Sequence, residues 1–221
     1  DTSLCQAYPK YEKVLDSYEK ILRQRSFVLK DAQTNSQLLD MLDVWDTSLV
    51  EYGGYITWMR LRYTQKLAAY AAEVYEGISG GKESFSARYL SSCGPMPEHP
   101  QREDVTALIE EAVKESRGQD IKMGQTGVGP HRDDLEIEVD GKSARSFGSQ
   151  GQQRSCVLAL KLAECRILEE GMKEPPIVLL DDVMSELDEG RRSYLLNHLT
   201  GRQIFITCCD DEMIASLNGG R

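Results

Sequence analysis

The sequence predicts a mixed α/β protein in two parts, a helical leading part followed by an α/β unit. Two observations carry this. In two stretches, Tyr8 to Lys30 and Leu38 to Val74, apolar residues recur every third or fourth position, the spacing of one helix face. After Gly118 the chain changes to short apolar or alternating runs, Gly-rich turns and intervening helical stretches, the succession expected of an α/β unit. The expected division is therefore 1–118 and 119–221, with a breaker-rich linker near 93–100.

Taken in order, Tyr8 to Lys30 places Tyr11, Leu15, Tyr18 and Leu22 on one face, with Pro9 in a first turn that accepts it. A longer pattern follows through Leu38, Leu42, Trp45, Leu49, Tyr52, Ile56, Met59, Tyr63, Leu67, Tyr70 and Val74. It is one very long helix or two broken near Gly53-Gly54, since two glycines cost about 2 kcal/mol relative to alanine. Its aromatic stripe suits base stacking on single-stranded nucleic acid, but strict spacing on one face is also what a helix–helix core requires. Arg23, Arg25, Lys30, Arg60, Arg62 and Lys66 lie on the same helices, either tracking phosphates or forming ordinary solvated faces.

Glu83 to Leu90 alternates loosely as a strand, Cys93 to Pro100 is rich in breakers, and a helix runs from Arg102 to about Glu115. Asp134 to Val139 alternates as a strand and ends in the hairpin-type turn Asp140-Gly141. Gln152 to Glu170 carries Val157, Leu160, Leu162 and Leu168 on mixed faces, as a buried helix would. Ile177 to Leu180 is continuously apolar, the mark of a strand covered on both faces, and Ile204 to Ile206 is another short strand. There is no internal repeat and no low-complexity stretch.

Composition narrows the function classes. The net charge of -10, from 36 acidic and 26 basic residues, opposes non-specific binding of the whole chain to phosphate backbones, so any DNA contact must be local. No apolar run approaches the roughly 18 to 20 residues of a membrane span, and the first residues lack secretion-signal features. The cysteines (Cys5, Cys93, Cys156, Cys165, Cys208, Cys209) lack CxxC spacing and the histidines (His99, His131, His198) are scattered. A zinc or iron–sulfur site is therefore not expected, and free thiols in a reducing cytoplasm are. The chain starts at Asp1 rather than Met, which fits a piece of something longer.

Chemistry concentrates in two places. Pro176-Ile177-Val178-Leu179-Leu180-Asp181-Asp182 is an apolar strand ending in two acids, and open α/β sheets bind ligands at that edge. In P-loop NTPases such an acid holds Mg²⁺, and a neighbouring carboxylate can polarise water. By itself the pattern is common. It continues into Val183-Met184-Ser185-Glu186-Leu187-Asp188 and a helix whose first turn holds Glu189. Upstream, Ser149-Gln150-Gly151-Gln152-Gln153-Arg154 opens the preceding long helix. A serine, a glycine and free backbone N–H groups at a helix start make an anion site, and Ser149 is equally a good N-cap. In this order and separation the two motifs support each other.

These motifs carry a resemblance. SQGQQR is similar to the RecF form of the ABC signature, LLDDVMSELD to its Walker B and D-loop, and Gly129-Pro130-His131-Arg132-Asp133-Asp134 to a further RecF motif. The leading stretches YEKILRQRSFVLK and LDVWDTSLVEYGGYITWMRLRY resemble the family's helical arm, so the likeness covers nearly the whole chain. The sequence is identified as a member of the RecF family. The resemblance implies a helical arm followed by the signature and Walker B half of an ABC/SMC-like ATPase head. It makes Asp181 the Mg²⁺ acid and Asp182 the general base. Ser149, Gln150, Gly151, Gln152 and Gln153 become the signature that meets, in trans, the γ-phosphate of ATP on the opposite subunit. Ser185 and Asp188 belong to the D-loop at the dimer seam. Thr207 stands where many ABC ATPases have a histidine; a hydroxyl is a poorer base, so turnover should be slow. His131 and Arg132 form either a rigid turn or a polar contact near nucleotide or DNA.

The same resemblance implies a cytoplasmic ATPase with ATP and Mg²⁺ as cofactors, dimerising on ATP. It would bind DNA at single-strand gaps or junctions and act with RecO and RecR to load RecA in replication, recombination, DNA-damage repair and the SOS response. No GxxxxGK[ST] occurs in the sequence, so the Walker A lysine and its amide cradle are absent, and the chain by itself is expected to bind ATP poorly and be inactive. Rival classes are a binding and dimerisation module without catalysis, a transporter-type ABC subunit, and an Asp-Asp metal phosphatase or nuclease. The long arm opposes the transporter, and the missing ligand cluster opposes the phosphatase.

Overall fold

The structure, a computed structural model, describes residues 1–33, 35–184 and 187–207. The chain forms two compact units, Asp1–Lys66 with Ala87–Glu136, and Leu67–Ser86 with Ile137–Arg221. Each draws residues from both sides of the composition change at Gly118.

The first unit is helical. A short helix α1 (Thr2–Ala7) precedes α2 (Pro9–Ala32), which starts with its proline in the first turn because the missing N–H there has no helical partner to lose. A 3-10 stretch, Ser36–Met41, leads into α3 (Leu42–Ser79), whose residues to Lys66 belong to this unit. After β1 (Phe85–Leu90), α4 (Arg102–Met123) ends on Gly124, whose φ of 65° gives the left-handed cap that halts the helix. The core is built from Leu4, Tyr11 and Tyr18, from Leu49, Val50, Tyr55, Ile56 and Leu61, and from Val105, Ile109 and Val113.

The periodic stripe on α3 is thus packed helix core in this unit, with Leu42, Leu49 and Ile56 buried, and the base-stacking alternative loses its support. The helix also runs unbroken through Gly53-Gly54. A Cβ on Gly54 would lie 2.3 Å from Thr106 Oγ1 and 3.1 Å from Thr106 Cα on α4. The glycine is there for close helix approach, a tertiary gain that offsets its low helix propensity.

Two of the basic residues grouped on these helices are internal. Arg25 is fully buried, donating to Asp46 (2.6 Å), Asp120 (2.7 Å) and Thr126 Oγ1 (2.8 Å). Arg60 bonds Asp1, the Pro130 carbonyl (2.5 Å) and Tyr11 Oη (3.2 Å). Neither is a solvated or phosphate-tracking cation. Arg23 remains on the surface beside Glu19, and Arg62 lies over the Trp58 ring.

The second unit holds the end of α3, the hairpin end of β2 (Asp134–Val139) with β3 (Lys142–Ser143), a four-residue helix α5 (Ala144–Phe147), α6 (Gln150–Met172), β4 (Val178–Asp181), α7 (Glu189–His198) and β5 (Ile204–Thr207). Strand order is β1-β2-β3 in one sheet, and β4 pairs with β5 in the other. The Asp140-Gly141 turn has φ of 51° and 70°, the paired left-handed geometry of a tight hairpin, and Val139 pairs with Lys142 across it. β4 and β5 are parallel, with Asp181 opposite Thr207.

One strand expectation is corrected. β4 is not covered on both faces: Val178 and Leu180 are buried, whereas Leu179 is 72% and Ile177 61% exposed, as is Phe205 on β5 at 54%. Successive side chains of a strand point to opposite faces, and only one face of this two-stranded sheet is packed. A continuous apolar run records what a strand is suited to meet, not that the covering element is present.

The two glycine environments make opposite predictions. Gly54→Ala should lower stability by roughly 1–3 kcal/mol through overpacking against Thr106. Gly118→Ala, in a helix with nothing within 4 Å of the added methyl, should raise it by about 0.5–1 kcal/mol. Chemical denaturation of the two variants checks both signs.

Candidate functional site

The start of α6 is organised by its own sequence. Ser149 is extended at the N-cap (φ -62°, ψ 159°), and its Oγ accepts the Gln152 amide at 3.2 Å while Gln152 Oε1 accepts the Ser149 amide at 2.9 Å. This reciprocal capping box settles the local role of Ser149: it is a helix cap. The role does not exhaust it, because a hydroxyl that accepts one bond still has a proton to donate. Gln150 and Gly151 follow in the first turn, where amides have no intrahelical acceptor. Ser149 and Gln150 are exposed and Gly151 is half-buried. Gln153 is used internally, its Nε2 donating to the Ala144 carbonyl at 3.0 Å and the Arg145 carbonyl at 3.3 Å.

The parallel register places Thr207 beside the first acid. Thr207 Oγ1 donates to Asp181 Oδ1 at 2.5 Å and accepts the Asp182 amide at 3.0 Å. That amide also lies 3.2 Å from the Thr207 carbonyl. These bonds hold Asp182 at φ 52°, a left-handed conformation that aspartate tolerates better than most residues. Both acids are exposed at the strand's C-terminal edge. Thr207 therefore orients the acid pair through hydrogen bonds to both residues.

Asp188 is the N-cap of α7, accepting the Arg191 amide at 2.9 Å. Ser185, assigned to the same loop, lies outside the described residues. Arg191 was not singled out by any sequence motif, yet its Nε lies 3.3 Å from Asp188 Oδ2 and its Nη1 3.4 Å from the Gly151 carbonyl. One guanidinium thus touches Gly151 in the first turn of α6 and Asp188, the cap of α7, in the same chain. Glu83 was also missed: its Oε1 accepts Gln152 Nε2 at 2.9 Å and its Oε2 accepts the Tyr75 hydroxyl at 2.7 Å. No local pattern marks the link of either residue to the start of α6, since Gly151 and Gln152 lie 40 and 69 positions away from them.

His131 and Arg132 belong to a packed turn in the first unit. The carbonyl of Thr126 can only accept, so His131 Nε2, 3.2 Å away, carries the proton and Nδ1 accepts from Tyr18 Oη at 2.7 Å. Arg132 also reaches the Thr126 carbonyl, at 3.3 Å from Nη2. Around them Pro130 receives Arg60, and Asp133 receives the Ser92 amide at 2.7 Å and the Tyr89 hydroxyl. Gly129 has φ 121°, and a Cβ there would meet Tyr18 Oη at 2.6 Å. The segment has the hydrogen-bonded turn geometry that the rigid-turn alternative expects, with Arg132 exposed. Burial lowers the His131 pKa from 6.5 and raises that of the Tyr18 hydroxyl.

The described residues contain no cluster of three or more His, Cys, Asp or Glu that could hold a metal. Magnesium needs no such cage: it is usually bound by one or two carboxylates together with substrate phosphates, and the Asp181–Asp182 edge fits that donor set. No helix among the described residues is long and apolar enough to cross a membrane.

Taken together, a signature-type helix start, an acid pair closing a parallel strand, an acid-capped helix after it and a long two-helix arm define part of an ABC/SMC-like ATPase head with a helical arm. No protein-family model matches the chain. It is 40% identical over 208 residues to the DNA replication and repair protein RecF of Agathobacter rectalis, covering 94% of this chain and 54% of that protein. It is 38% identical over 220 residues to RecF of Acetivibrio thermocellus (100% and 59%), and 42% identical over 209 residues to RecF of Heliobacterium modesticaldum (94% and 55%). Among solved structures, the recombination mediator protein RecF-ATPrS in the RecFOR pathway superposes with a TM-score of 0.86 at 36% identity, over 96% of this chain and 57% of that one. The RecF-ATP form gives 0.83 at 37% identity, over 94% and 55%. The chain is thus similar to RecF proteins along 94–100% of its own length, and it spans just over half the length of the curated relatives it matches.

A pH test follows from the buried histidine. A folded pKa below 6.5 means that the unfolded chain binds the proton more readily, so stability is full above that value and falls as pH drops below it. Melting temperature followed from pH 7.5 to 5.5 should decline more steeply in the wild type than in His131→Gln; parallel curves would remove the assignment of a neutral, packed His131.

Proposed function

We propose that this chain is the signature- and Walker B-bearing portion of a RecF-type DNA-repair ATPase, and that its parent protein closes as an ATP-dependent dimer. The observation that carries the proposal is the exposed, capping-box-ordered start of α6 together with the Thr207-oriented acid pair of the same chain. One offers amides and a hydroxyl to an anion; the other offers carboxylates to a cation and a water. A single nucleotide needs both kinds of group, and in a head of this class they come from opposite subunits.

In this reading Ser149 and the amides of Gln150 and Gly151 meet the γ-phosphate held by the partner subunit. The side chains of Gln152 and Gln153 order the turn. Asp181 holds Mg²⁺, which when bound neutralises developing phosphate charge. Asp182 orients the attacking water and accepts its proton, with its backbone fixed by Thr207. A hydroxyl at position 207 supplies orientation without a strong base, so turnover is slow. Asp188, with Ser185, lies at the seam between subunits, and residues 1–118 supply the arm while residues 119–221 supply the head portion. The exposed Ile177, Leu179 and Phe205 face is the surface the rest of the head would cover. The parent works in the cytoplasm in DNA replication and repair, binding DNA at single-strand gaps or junctions and acting with RecO and RecR to load RecA. Because the net charge is -10, DNA contact is confined to local basic surface rather than spread over the chain.

Two measurements test this. In a full-length polypeptide containing this chain, Asp182→Asn should trap the ATP-bound dimer and Ser149→Arg should abolish dimerisation without unfolding the protein, its circular dichroism spectrum staying folded and its melting falling only by what a lost helix cap costs, about 0.5–2 kcal/mol; normal dimerisation of the serine variant would refute the trans contact. For the chain alone, lacking GxxxxGK[ST], calorimetric titration should show no ATP binding in the micromolar range, and micromolar affinity would contradict the role given to the missing cradle.

A further inference from the structure

We infer that Glu83 is a positioning residue for the signature turn, acting through Gln152. The inference rests on the trans role proposed for Ser149. The capping box fixes only part of the Gln152 side chain: its Oε1 receives the Ser149 amide, and its Nε2 donates to Glu83 Oε1 at 2.9 Å. A carboxamide held at one end can rotate about its terminal torsion, which is broad and roughly two-fold. Held at both ends it cannot turn without breaking a bond to a carboxylate, one of the stronger kinds of hydrogen bond. The Ser149 backbone is therefore held in register by a residue 66 positions earlier in the chain, bonded to it through Gln152.

Glu83 is itself anchored. Its Oε2 accepts the hydroxyl of Tyr75, a fully buried ring on the last turns of α3 stacked on Phe85 at 5.3 Å between centroids. The chain leaves α3 through Gly80 and Gly81, both with positive φ, and the Gly81 amide bonds the Glu76 carbonyl at 2.9 Å. Next to Glu83, the Ser84 amide donates to Asp140 Oδ1 at 2.8 Å. The carboxylate thus sits on a short loop fixed on both sides, between the end of α3 and the first turn of α6. Tyr75 gains from the arrangement as well: burial first, and its bond to Glu83 second, raise its pKa, so the hydroxyl keeps its proton and remains a donor. Through these bonds the end of the arm helix and the phosphate-facing turn share one carboxylate.

The consequence is separable from chemistry. Loosening Gln152 should weaken recognition of the partner's nucleotide without touching the acid pair. In full-length protein, Glu83→Ala should raise the ATP concentration needed for half-maximal dimerisation and the KM for hydrolysis by about tenfold, with kcat nearly unchanged. Glu83→Gln keeps an acceptor for Gln152 and a polar partner for Tyr75, and should restore both to near wild type. An alanine variant with unaltered KM, or a glutamine variant as impaired as alanine, overturns the inference. Should Ser149→Arg still dimerise, the trans reading itself has failed. Amide exchange at Ser149 in the chain alone then decides: faster exchange in Glu83→Ala than in Glu83→Gln upholds the positioning role, and equal exchange removes it.

Discussion

The pair of hydrogen bonds between Ser149 and Gln152 is the constraint from which the rest of the site follows. A helix start has amide groups that the helix itself cannot satisfy. The capping box spends the Gln152 amide and the Ser149 amide on each other's side chains, which fixes the turn. The first-turn amides of Gln150 and Gly151 are left pointing outward with the positive end of a 23-residue helix behind them. The structural cap and the anion-binding role proposed for this turn are therefore compatible in one arrangement. Arg191 against the Gly151 carbonyl and Glu83 against Gln152 brace it from two other elements.

The acid pair is built by different means. Parallel pairing of β4 with β5 puts Thr207 opposite Asp181, and its hydroxyl bonds that carboxylate while receiving the Asp182 amide. The strand edge therefore presents two carboxylates whose backbone is set by register rather than by a loop. Preorganisation of this kind fits the role proposed for the pair, holding charge and a water in place. The cost is a left-handed Asp182, of order 1–3 kcal/mol for residues held in sparse backbone regions, borne where the surrounding bonds over-determine it.

Much of this was legible in the sequence, and what was not has a physical reason. The helices were readable because their apolar spacing is a local signal, and the capped start of α6 and the acid pair ending β4 because each is a contiguous segment. Gly53-Gly54 was ambiguous because helix propensity is blind to Thr106 on α4, the contact that makes a glycine necessary. Arg25 looked like a surface cation because its partner Asp120 is 95 positions away. The open face of β4 could not be foreseen, since an apolar run is the same whether or not its cover is present. Glu83 and Arg191 were invisible for the same reason as Asp120: only the fold brings them to the first turn of α6. His131 shows the converse, a motif residue whose neighbours Tyr18 and Thr126 make it part of the packed turn.

The claim on which all of this depends is that the serine-capped turn of one subunit meets nucleotide bound to the other. An experimental structure of the full-length dimer with a non-hydrolysable ATP analogue measures it directly. The account predicts Ser149 Oγ and the Gly151 amide within hydrogen-bond distance of a γ-phosphate held by the opposite subunit. A dimer in which that turn faces solvent, or meets only nucleotide held by its own chain, would contradict it.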